Sequence, residues 1–342
     1  MPQKPGQSVL SARPYLPLFF ALVIFSGLAV FLFLPFRPIG NLKECLTQFN
    51  SILAAGGCFL LSRRWLASFN ASALAGAVFG FGPFLLSFKI YHPLAGFIAA
   101  VSPWLFCPVA LWDCYAAPTP TVQIRRLILL IVPFAFIFLF FWLSSLPCIG
   151  PYDLMPRTQQ FHPANLPMLA GFPGPFGKQI ILGLYANVFI LALMGLIVYL
   201  ALLRIAVLAP VLIGLVFSFC QPILDVPPVL WMAIPMLFLS ILAGLGAQTM
   251  AWAGPTDRKW ILFCMLIAAL LGGICLTKAY FGQDRSFFFP AKMYGIAFLT
   301  TTSLFFLVKL KLSGRLLQWI LIVTAIALDL ILTGRIVLSN LS

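Results

Sequence analysis

"YLPLFFALVIFSGLAVFLFLPF", residues 15–36, runs for 22 positions without one charged side chain. A bilayer core about 30 Å thick takes roughly 20 apolar residues to cross as a helix, so this stretch reads as a membrane span. Lys4 and Arg13 precede it, and Arg37 with Pro38 follow it in place of a small-x-small cleavage site. A retained first helix is therefore expected, not a removed signal peptide.

Working outward, comparable apolar runs bounded by charges, Gly or Pro recur at approximately 45–62, 66–88, 93–112, 127–147, 180–203, 205–224, 229–248, 260–280, 293–308 and 316–333. Two of them carry polar residues that weigh against spanning. The second opens with Thr47, Gln48, Asn50 and Ser51, and the tenth, a short one, contains "TTTS" at Thr300 to Ser303. The expected fold is all-α, a polytopic transmembrane bundle of about 10–11 helices forming a single integral membrane domain over residues 1–342. Residues 15–147 supply the first group of spans, 148–179 a Pro-rich outer loop, and 180–333 the second group. Composition agrees: 62% of the chain is hydrophobic and 8% charged, against about a quarter charged in a soluble domain. A β-barrel would alternate apolar and polar residues with period two, and these runs are apolar on every face.

The net charge of +14 points to a bilayer with anionic lipid head groups as partner, because Lys and Arg cluster at the ends of spans. No basic stripe interleaved with aromatics calls for nucleic acid. Paired cations at Arg63/Arg64, Arg125/Arg126 and Arg258/Lys259 are expected on the cytoplasmic side with the N-terminus, which leaves residues 148–179 on the outer side. Eight cysteines are scattered without a C-x-x-C pair, mostly inside apolar runs where they act as small hydrophobes. A Cys45–Cys148 bridge would need backbones that sequence alone does not bring together.

Soluble-enzyme signatures are missing: the sequence has no P-loop, no H-E-x-x-H, no G-x-S-x-G and no G-x-G-x-x-G. With His92 and His162 as the only histidines, no metal site and no cofactor is expected. Five ionisable residues remain as substrate- or ion-binding candidates: Asp225, Asp329, Asp153, Arg157 and His162. Asp153, Arg157 and His162 belong to the Pro-rich segment, which reads either as a lid over a cavity or as a plug covering the bundle surface. Asp225 lies among Pro222, Pro227 and Pro228. It is a cation or proton site if the backbone dips into the bilayer, or a helix cap if this is a tight hairpin between two long spans. Asp329, in "IALDLILTG", is an acid inside an apolar span and a functional candidate on that ground. Its nearness to Thr333 and Arg335 places it close to a helix end, where Arg335 or water is expected to offset its charge. "GAVFG" at Gly76 to Gly80 reads as a small-residue packing surface, and the Thr300 to Ser303 hydroxyls are expected to bond back to the preceding turn.

Three functional classes follow. A small-solute or ion permease accounts for the many spans and isolated acids. A non-catalytic subunit, bound to a membrane-protein partner or a second copy, accounts for the scarcity of ionisable groups. A membrane-embedded enzyme acting on a lipid or lipid-linked substrate would use the acids or His162 for proton transfer.

Overall fold

The computed structural model describes residues 15–36, 42–63, 66, 68–88, 93–112, 135, 170, 185–201, 205–220, 228–282, 285–310 and 314–341. Among them every regular element is helical. The α-helices are α1 (Tyr15–Phe33), α2 (Leu42–Ser62), α3 (Phe69–Gly80), α4 (Pro83–Ser87), α5 (Pro93–Trp112) and α6 (Ala186–Ala201). They continue with α7 (Ile205–Phe219), α8 (Ala233–Ala251), α9 (Arg258–Phe281), α10 (Phe288–Lys309) and α11 (Arg315–Leu341).

Seven segments among the described residues are long and apolar enough to cross a bilayer, fewer than the ten or eleven spans expected. Part of the difference is that Gly96–Cys107, Ala186–Leu200 and Pro210–Phe219 are apolar but short. The expected span at 127–147 lies outside the described residues but for position 135. The polar residues of the second run do not prevent α2 from forming. Thr47, Asn50 and Ser51 are buried, so that face of α2 looks into the bundle instead of into lipid. The tenth run extends to the 22 residues of α10.

The expected run at 66–88 is not one helix. It breaks after Gly80, where Phe81 closes α3 and Gly82, in extended conformation (φ −69°, ψ 157°), opens α4 with Pro83 in its first turn. Proline has no N–H to donate there and fits the first position of a new helix.

Burial separates centre from rim. The segment Leu230–Ala251 is 89% buried, whereas Leu16–Phe33 and Pro255–Phe281 are each 28% buried, so α8 is the axis and α1 and α9 present most of their surface outward. Around α8 pack α6, α3, α7 and α11. The α6–α8 crossing rests on two glycines: a Cβ on Gly195 would collide with the Leu242 carbonyl, and one on Gly246 with the Leu191 carbonyl. Small residues allow such backbone approach, which is how helices gain contact area in lipid. Gly76 and Gly80 do the same for α3 against Ala55 and Ser51 of α2. α5 runs unbroken through Pro103 and Pro108, and its Trp104 Nε1 donates to the Leu53 carbonyl at 3.0 Å.

Candidate functional site

Three interruptions or insertions fall at one depth. The end of the bundle that carries Arg258, Lys259, Lys309 and Arg315 serves as reference, and α3 is tied to that end where the Ser68 N–H donates to Gln248 Oε1 at 3.3 Å. α3 ends after 12 residues, about 18 Å from its start at the helical rise. α6 is 16 residues long and parallel to α8, with Tyr185 beside Met236 and Ser240. Its first turn therefore sits about 21 Å from the same end. Asp329 is fourteen residues beyond Arg315 in α11, again about 21 Å along. A helix that stops or starts at this depth leaves backbone groups without intrahelical partners, and in hydrocarbon such groups must be satisfied by protein.

Two side chains answer part of this need. Tyr185, buried immediately before α6, donates its hydroxyl to the Phe81 carbonyl at 2.8 Å, which fills an acceptor left over at the end of α3. Asp329, 1% exposed, accepts on Oδ2 from the Asn187 N–H at 2.8 Å, and the Val188 N–H also bears on the carboxylate. The carboxylate thus acts as an N-terminal cap supplied by another helix, where N–H groups and the helix dipole both favour negative charge. Oδ1 of Asp329 and Nδ2 of Asn187 have no hydrogen-bond partner among the described residues.

The helix-end reading of Asp329 is corrected here. α11 does not stop near Thr333 but continues to Leu341, which leaves Asp329 in mid-helix. Arg335 does not compensate it either. Its guanidinium stacks over Phe31 of α1 at 5.1 Å, and no cation among the described residues forms an ion pair with Asp329. The charge is met by a helix start far away in sequence, so nothing local to "IALDLILTG" revealed the partner.

Asn187 also lines a cavity that runs toward the basic end between α6, α8, α10 and α11, past Thr300, Thr301, Leu304, Ile322 and Met250. Ala297 to Leu304 of α10 border it, about 10 Å of helix. Its volume is about 20 Å³ over the positions a water's centre can take, room for a water or two. Thr300 and Thr301 donate to the Ile296 and Ala297 carbonyls at 2.8 and 2.9 Å. Their hydroxyl hydrogens are therefore committed to their own helix, as expected, although both residues line the cavity. Tyr294 of α10, fully buried, donates to the carbonyl of Ala170, the one described residue of the Pro-rich segment and itself buried.

Of the five candidates, only Asp329 is among the described residues. Asp225, Asp153, Arg157 and His162 lie outside them, as does Cys148. The hairpin reading of Asp225 assumed a long run on each side, and α7 ends at Phe219 after 15 residues. Asn187, Tyr185 and Tyr294 were not singled out from sequence, since an Asn or Tyr in an apolar run carries no signal until its partner is known.

No protein-family model, curated protein or solved structure matches this chain. Its class rests on its own helices: seven apolar segments of spanning length are those of a multi-pass integral membrane protein.

Proposed function

We propose that the protein is a permease for a small polar solute and that its transport route passes Asp329. One observation carries this reading: a buried carboxylate without an ion pair among the described residues caps a helix that begins inside the bundle, level with the break between α3 and α4. Discontinuous helices that meet at membrane depth supply backbone groups to substrate and coupling-ion sites in membrane transporters, and an intramembrane acid marks such a pathway. The cavity leading from Asn187 toward the basic end supplies the beginning of a route. The residues of the enzyme reading, Asp153, Arg157 and His162, lie outside the described residues.

The test uses purified protein in liposomes preloaded with a defined mixture of amino acids, sugars, carboxylic acids and nucleosides. Selective depletion of one solute class against empty liposomes is expected, with loss of that depletion in Asp329→Ala. Retention of every class by well-folded protein rejects the permease, and stable co-purification with another membrane protein then favours the subunit reading.

A further inference from the structure

We propose that the cation served by Asp329 is a proton, taken up at Oδ1, and that the site excludes metal cations. This inference rests on the permease reading for its use in transport, but not for the chemistry itself. Hard metal ions are held by shells of several oxygens. The carboxylate of Asp329 instead faces backbone donors at the start of α6, the Asn187 N–H at 2.8 Å and the Val188 N–H. A metal ion would also confront the positive pole of α6. A proton needs none of that shell. It adds to Oδ1, the oxygen left without a partner, while Oδ2 goes on accepting from Asn187. Protonation forms an O–H at Oδ1 while an O–H of hydronium breaks and leaves a water molecule, for which the cavity beside Asn187 has room.

Neighbouring charges are few. Among the described residues packed against α11, α4 and α8 contain no ionisable side chain, and α1 contains only Tyr15. α6 contributes Tyr199 at its far end. α10 contributes Tyr294, which lies within electrostatic reach of Asp329, together with an exposed Lys292 and Lys309 at its last turn. Tyr185 is the other phenol within reach, and Cys275 of α9 lies within reach of Tyr294. On α11 itself Arg335 is stacked on Phe31 and Arg315 opens the helix. Among the described residues, a proton at Oδ1 is therefore the event that changes the charge of this site.

The test is infrared difference spectroscopy of the full-length protein in detergent, titrated with acid at constant ionic strength. The expected result is a carboxylic-acid carbonyl band that grows on acidification, is missing in Asp329→Asn, moves in frequency in Asp329→Glu, and is unaltered when sodium replaces N-methylglucamine. Two results overturn the proposal: a titration identical in wild type and Asp329→Asn, or a band and unfolding temperature that respond to sodium at fixed pH. The sodium arm needs only wild-type protein, so a variant that fails to fold does not shield the idea. If the titration is found but no solute moves, the permease reading falls while the proton site stands.

Discussion

The backbone N–H of Asn187 and the carboxylate of Asp329 meet at 2.8 Å across 142 positions of sequence. Through that contact the middle of α11 caps the first turn of α6. It lets α6 begin inside the bundle with its first N–H groups met by a carboxylate.

Removing the cap should cost stability in a graded way. Asp329→Ala leaves buried N–H groups without an acceptor and is expected to lose about 1–3 kcal/mol, whereas Asp329→Asn keeps an acceptor oxygen and recovers most of that loss. Thermal unfolding in detergent checks the order; equal stability of Asp329→Ala and wild type would mean the contact does not hold α6.

Tyr185→Phe deletes one hydroxyl and strands the Phe81 carbonyl at the end of α3. A loss of about 1–3 kcal/mol is expected, with faster amide exchange concentrated from residue 81 to residue 88. Unchanged exchange in that stretch would indicate that the α3–α4 break is held by its other contacts.

The α6–α8 crossing predicts a contrast between two glycines. Gly246→Ala forces a methyl group against the Leu191 carbonyl and is expected to destabilise by about 1–3 kcal/mol. Gly27→Ala, where a Cβ meets nothing within 4 Å, should be neutral or gain up to about 1 kcal/mol. Unfolding midpoints of the two variants in the same detergent decide it.

Arg335 is predicted to act on Phe31, not on Asp329. A double-mutant cycle with Arg335→Gln and Phe31→Ala should return a coupling of about 0.5–1 kcal/mol, and Arg335→Gln should leave the infrared titration assigned to Asp329 where it was. A displaced titration would show that the two charges sense each other after all.

The α3–α4 break shows how far sequence reading reaches. Gly82 and Pro83 are visible punctuation, yet prolines at 103 and 108 punctuate α5 as strongly and that helix runs on. Propensity says where a helix can stop, and the hydroxyl of Tyr185 helps decide where stopping is tolerable. Likewise Thr47, Asn50 and Ser51 weakened the case for a span only so long as their face was taken to meet lipid. Inside the bundle those polar groups face protein.

By itself the sequence determined the solvent and the helical class, because a chain this apolar must satisfy its backbone internally in lipid, and uninterrupted apolar runs of spanning length do so as helices. It also marked Asp329 as an acid in the wrong medium. Which group answers that charge was decided by tertiary structure alone. The answering N–H belongs to a helix start whose position depends on how α6, α8 and α11 pack, and the N–H itself is common to almost every residue, so no side-chain pattern could announce it.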